Sequence, residues 1–309
     1  MFSINQWFFK PSSPRVFTFF RIAVAVFCMI QIIKLYPDLL NVFGQYGFNR
    51  ADVVSVTQAP FMPRITWISD ALLPLGIGEV SVIYGLFGFY LLTLLGLVLG
   101  YSNRLFAGLA LFCHLLFFGS GKMFMYGVDY FTTSALFYCL ILPSTQAFSL
   151  RSFRFLGQVK ASAYATFIKR VLQVHLCLVY FFGGISKMLG VHWWTGEGIW
   201  RAVSLPGFNN MDTTWMANFP NMLMVMGWIV LLTETFYFVG IYIKKTRPII
   251  LLAILGMHLG IGLTMGLYQF ATIMILFNFT AFGWDYMQEL FGANRFRQLF
   301  ERFRLRLSF

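Results

Sequence analysis

Apolar residues fall in long windows near 16–36, 80–100, 104–120, 129–143, 168–188, 221–243, 249–267 and 269–287, separated by short polar or charged connections. Such windows can cross about 30 Å of hydrocarbon at about 1.5 Å per helical residue, so the pattern predicts about eight transmembrane helices. The window 129–143 is the weakest, because it is short and stopped by Pro143, which cannot continue a helix. The run after Arg15 ends at Lys34 and Pro37 without a small-residue cleavage motif, so it reads as a retained span and not a signal peptide. No repeat, heptad array or linker interrupts the pattern, which predicts one membrane domain over 1–291. Beyond it, Phe296, Leu299, Phe300, Phe303 and Leu307 recur at helical spacing among arginines. A basic amphipathic tail over 292–309, lying on an anionic inner leaflet, is expected.

Composition places the chain in the bilayer. With 59% hydrophobic and 11% charged residues among 309, there is too little polar surface to coat a soluble globule. The net charge of +12 is gathered at the ends of apolar runs, so it reads as topogenic and excludes a nucleic-acid partner. Arg151, Arg154, Lys160, Lys169, Arg170, Lys244, Lys245 and Arg247 share one side with the N-terminus and the arginine-rich tail. The positive-inside rule then sets both termini in the cytoplasm, in a bacterial-type inner (plasma) membrane. The connections 37–79, Lys122–Asp129 and Gly190–Pro220 face outward, where Trp193, Trp194 and Trp215 fit an interfacial aromatic belt. Cys28, Cys113, Cys139 and Cys177 lie inside apolar stretches without ligand spacing, so neither a disulfide framework nor a metal site is expected.

Ionisable residues inside the spans are the candidates for chemistry, because each is costly at membrane depth. Lys187 closes the apolar run that starts at Val171 and precedes His192, Trp193, Trp194 and Gly196. It either snorkels to the headgroups or, desolvated, serves as a general base toward a weakly acidic, phenol-like group. Gly183 and Gly184, one turn earlier, leave room for a flat ligand. Glu234 in the sixth window fits an ion pair as well as a reactive carboxyl. His258, one turn before Gly262, fits close helix packing or a ligand-facing role. Arg21 sits within the first span, and Asp129, after Tyr126 and Gly127, is either a helix N-cap or a site residue at the outer edge. His114 and His175 read as core histidines.

Tyr180, Phe181, Phe182, Gly183, Gly184, Ile185, Ser186, Lys187 and Met188, followed by Trp193 or Trp194 and Gly196, resemble the horizontally transferred transmembrane (HTTM) family. Phe20 with Arg21, Tyr126 and Gly127 with Asp129, and His258 with Met265 and Gly266 fit the same pattern. That family includes the membrane part of vitamin K-dependent γ-glutamyl carboxylase. The resemblance implies an all-α polytopic bundle in which Lys187 is the outward-facing base that deprotonates a hydroquinone. It makes Lys187, Asp129 and His258 the candidate catalytic residues, and Arg21, Gly183, Gly184, Trp194 and Glu234 the candidates to line a cofactor, a quinol or membrane lipid. The chain departs from carboxylases in the loop Lys122–Tyr126, which holds no histidine, and in the short basic tail that replaces a large extramembrane region. Two functions follow as expectations. One is a quinol- or lipid-dependent enzyme modifying an extracytoplasmic peptide or lipid; the other is an accessory protein for maturation, export or anchoring of a secreted or envelope protein. A transporter fits less well, since paired broken helices and repeat symmetry are missing from the sequence.

Overall fold

The computed structural model describes residues 3–143, 160–208 and 210–292, and among them it is all-helical with no strand. The tail expected over 292–309 therefore lies, Gly292 apart, outside the described residues. We label the eight principal helices α1 (Arg15–Leu35), α2 (Glu79–Leu99), α3 (Asn103–Ser120), α4 (Gly127–Ile141), α5 (Ala163–Met188), α6 (Pro220–Thr235), α7 (Arg247–Met265) and α8 (Tyr268–Asn278). Each coincides with one of the apolar windows.

Five of these helices, α1 with its continuation to Phe43, α2, α3, α5 and α7, are long and apolar enough to cross a membrane. The protein is membrane-integrated in this sense. Helices α4, α6 and α8 have 15, 16 and 11 residues, shorter than a straight span. The eighth window nonetheless stays helical, because α8 runs through a π turn at Phe279–Gly283 into the helix Trp284–Phe291. Gln173 Nε2 donates to the Ala281 carbonyl at 2.6 Å, supplying a partner within the widened turn. The sixth window breaks after Thr235 and resumes as the single turn Tyr237–Gly240.

Exposure follows what lipid allows. On α7 the buried residues are Ile254, His258 and Gly262, spaced by four, while Ile249, Leu252, Leu255, Leu259 and Leu263 are exposed. One narrow face therefore packs inward, and the rest is an apolar surface of the kind that hydrocarbon, not water, covers. Left-handed glycines end two spans: Gly100 after α2 and Gly266 after α7, both at φ 71°. Asn210 fixes the second of these ends, its backbone N–H donating to the Thr264 carbonyl at 2.9 Å and its Nδ2 to the Leu263 carbonyl at 2.9 Å.

The chain forms two compact units, Met1–Thr166 and Phe167–Phe309. In the first, α1 packs on α2 and α4, and α3 packs on α2 and α4. Arg21, buried on α1, donates from Nη1 to Asn103 Oδ1 at 2.7 Å. In the second, α7 packs on α6 and α8. The connection between α5 and α6 folds onto α6 through a small core of Ile199, Val203, Met216 and Leu223, against which Trp193 and Trp200 are packed. The approach is backbone to backbone: Cβ atoms added at Gly196 and Gly227 would stand 2.4 Å from Met224 N and 2.5 Å from the Trp193 carbonyl oxygen. This seating fixes Trp193 at the end of α5.

Candidate functional site

Tyr180, Gly183, Gly184 and Lys187 occupy positions i, i+3, i+4 and i+7 of α5, which places them on one helix face. That face meets the end of α6 at very short range. A Cβ at Gly184 would lie 2.5 Å from Thr235 Oγ1 and 2.6 Å from Thr235 N, so only glycine permits the contact. The approach carries Glu234 onto Lys187, and Nζ donates to Oε2 at 2.5 Å. Thr235 Oγ1 also donates to Met188 Sδ at 3.2 Å. The Trp193 ring covers the ammonium, with Nζ 5.5 Å from its centroid, a cation–π geometry.

The pair is asymmetric. The Glu234 side chain is 8% exposed and that of Lys187 27%, so the carboxylate is embedded and the ammonium opens to one side. Gly183 faces both: a Cβ there would stand 3.5 Å from Glu234 Oε2 and 3.7 Å from Lys187 Nζ, in ordinary contact. Its absence leaves a flat floor beside two charged groups. Desolvating two charges costs several kcal/mol per ion, which close pairing offsets only with good geometry.

Behind the pair lies a chain of neutral hydrogen bonds. Tyr237 Oη donates to Asn278 Oδ1 at 2.8 Å, Asn278 Nδ2 donates to Tyr180 Oη at 2.6 Å, and Tyr180 Oη lies 2.9 Å from His258 Nε2. Asn278, Tyr180, Tyr237 and His258 are all buried.

The second unit thus brings together Lys187, Glu234, His258, Gly183 and Gly184. Trp194 does not face the lysine; its Nε1 donates to the Met188 carbonyl at 2.8 Å, and its own carbonyl accepts from Trp228 Nε1 at 3.0 Å. Its neighbour Trp193 takes the stacking position instead. Adjacent indoles at the end of an apolar run carry no sequence signal that says which one turns inward. Tyr180, Tyr237 and Asn278 were not candidates from sequence, although Asn278, an amide in the middle of the last apolar window, was a signal available there.

Arg21 and Asp129 belong to the first unit. Asp129 closes a capping box at the start of α4: its Oδ2 accepts from the Tyr126 backbone N–H at 3.1 Å, while Oδ1 accepts from Gln31 Nε2 at 3.3 Å. His114 Nε2 sits 3.1 Å from Thr133 Oγ1 and 3.3 Å from the Asp129 carbonyl, tying α3 to the same turn. Asp129→Ala is expected to lower the unfolding free energy by about 1 kcal/mol, and Asp129→Asn by much less, because an amide oxygen still accepts from Tyr126. Denaturation of the detergent-solubilised variants checks this; equal losses for Ala and Asn would show that charge and not capping matters.

Outside the spans, Glu197 joins His192 and Arg201. It meets His192 Nδ1 at 2.5 Å and accepts from Arg201 Nη2 at 2.6 Å, and His192 first, then Arg201, hold its carboxyl below the usual glutamate range. Among the described residues no group of three His, Cys, Asp or Glu could hold a metal ion, and the four cysteines are buried without a disulfide. No family model, curated protein or solved structure matches the chain.

Proposed function

We propose that the chain is an HTTM-type membrane enzyme of eight spans with both termini cytoplasmic, in which Lys187 is the base toward a weakly acidic hydroxyl of a quinol or lipid. The product would be a modified extracytoplasmic peptide or lipid. The observation that carries this reading is the Lys187–Glu234 pair, 2.5 Å apart, with the ammonium partly open beneath Trp193. The geometry also refines the chemistry. A paired ammonium has no lone pair, so Lys187 becomes a base only by passing its proton to Glu234. That transfer runs along the existing hydrogen bond and leaves the pair's total charge unchanged. Neutral Lys187 then takes the hydroxyl proton, and the ammonium so formed remains beside the anion it has created.

The residues fit a flat, apolar, hydroxylated group. Trp193 offers an aromatic face and Gly183 a floor without a Cβ, while Glu234 Oε2 and Lys187 Nζ border that floor. Such a group, when bound, would supply the reducing or nucleophilic chemistry; the chain would orient it and hold the proton at Lys187. In the proposed topology this end of α5 faces away from the cytoplasm. Mass spectrometry of small molecules copurifying with the protein tests the reading. A quinone or a hydroxylated lipid enriched over the surrounding membrane is expected, and depleted when Gly183 is replaced by a larger residue. Only bulk phospholipid in bilayer proportions would overturn it.

A further inference from the structure

The hydrogen bonds behind the ion pair have a single consistent direction. Asn278 Nδ2 carries two hydrogens, one directed to the Met274 carbonyl at 2.8 Å and the other to Tyr180 Oη at 2.6 Å. Turning the amide over would set its oxygen against the Met274 carbonyl, so the orientation is fixed. Tyr180 Oη accepts from Asn278 and, among the described residues, has no acceptor for its own hydrogen other than His258 Nε2, 2.9 Å away, which assigns that hydrogen to Nε2. Nε2 is then an acceptor, the ring is neutral, and its hydrogen sits on Nδ1.

That hydrogen has no acceptor among the described residues. His258 is 2% exposed, and Nδ1 is buried without a hydrogen-bond partner, with the Phe270 ring edge-on at 5.7 Å between centroids. An unsatisfied buried N–H costs about 1–3 kcal/mol, and nearly all buried donors in native proteins are paired. Three side chains, from α5, the turn after α6 and the end of α8, are arranged so that this one atom donates.

We propose that His258 Nδ1–H is a preset recognition donor for a neutral acceptor oxygen, of the carbonyl, ester or amide type, on an apolar ligand of the second unit. The donor chemistry selects that class. A neutral, buried N–H beside the Phe270 ring gains a hydrogen bond from a carbonyl oxygen at little desolvation cost. Bringing a carboxylate or phosphate there would strip a charge of water with no countercharge on the ring and with the nearby Lys187 ammonium already paired to Glu234. The inference rests on the reading that this unit holds a ligand, and does not require Lys187 to act as a base.

The test uses full-length protein in lipid nanodiscs, labelled with nitrogen-15 histidine, whose four histidines make a tractable spectrum. The probes are benzophenone, which has a carbonyl, and diphenylmethane, which matches its rings but lacks one. The His258 signal is assigned by its loss in His258→Gln, or by elimination from variants at His114, His175 and His192 if that protein does not fold. His258 is expected in the Nδ1–H tautomer, with a saturable shift of Nδ1 and its hydrogen on adding benzophenone and none with diphenylmethane. An Nε2–H tautomer, an equal response to both probes, or no response overturns the proposal. These outcomes are separate from the base reading, which stands or falls on Lys187→Arg.

Discussion

Lys187→Arg is expected to keep the fold and lose the reaction. Guanidinium can still pair with Glu234, so unfolding free energy should stay within about 1 kcal/mol of the parent, yet it remains protonated at every accessible pH and cannot accept a hydroxyl proton. Loss of a general base typically lowers rate by about 10²–10⁴-fold. Lys187→Met should behave differently, leaving the buried Glu234 carboxylate unpaired at a cost of about 3–5 kcal/mol. The double variant Lys187→Met with Glu234→Leu should recover most of that stability, because paired burial of charges is itself expensive, and it should recover none of the activity. Unfolding in mixed detergent micelles reads the first quantity, and consumption of the copurifying hydroxylated molecule by membranes bearing each variant reads the second. If Lys187→Arg turns over at the parental rate, the lysine is an anchor: its ammonium serves α5 by pairing with α6, and the chemistry must be sought elsewhere or abandoned in favour of an accessory role.

The contrast between these variants also shows what the sequence could and could not disclose. A lysine and a glutamate in apolar runs announce themselves, because hydrophobic windows tolerate few ions and each must be accounted for. Their separation of 47 positions discloses nothing about whether they meet. Their contact depends on Gly184 admitting Thr235, a packing event between two helices that no local pattern encodes. The helices themselves were legible for the opposite reason: a helix is written in consecutive residues, and all eight windows carry one, five of them long and apolar enough to cross a membrane. What the windows missed were the interruptions. The break after Thr235 follows the polar triplet Thr233, Glu234 and Thr235 inside a window that is apolar on either side of it, and the π turn at Phe279–Gly283 is matched by Gln173 from another helix. Tyr180, Tyr237 and Asn278 escaped because a hydroxyl or an amide barely lowers the hydropathy of a window, although at membrane depth each must find a partner. Asp129 was legible because capping is local. The glycine and tyrosine before it mark a helix start, and its capping bond reaches three residues back, whereas its bond to Gln31 on α1 was not legible.

Gly183 and Gly184 are neighbours in sequence, yet their alanine variants should move stability and ligand retention in different patterns. At Gly184 the new Cβ would fall 2.5 Å from Thr235 Oγ1 and 2.6 Å from its backbone nitrogen, and backbone cannot give way as a flexible side chain does. Helices α5 and α6 must separate, an overpacking cost of about 1–3 kcal/mol, and the separation acts directly on the bond between Lys187 and Glu234. Gly184→Ala should therefore lose stability and ligand together. At Gly183 the added carbon meets Glu234 Oε2 at 3.5 Å and Lys187 Nζ at 3.7 Å, distances that require no movement. There alanine should raise stability by about 0.5–1 kcal/mol, through the lower entropy it loses on forming a helix. The same methyl group occupies the floor beside the ion pair, so the small molecule recovered with the protein should fall even as the protein becomes harder to unfold. Thermal unfolding and copurification measured on the same preparations separate the two patterns. Parallel losses at both positions would mean that Gly183 serves helix packing alone, and that the open side of the Lys187 ammonium faces lipid and not a ligand.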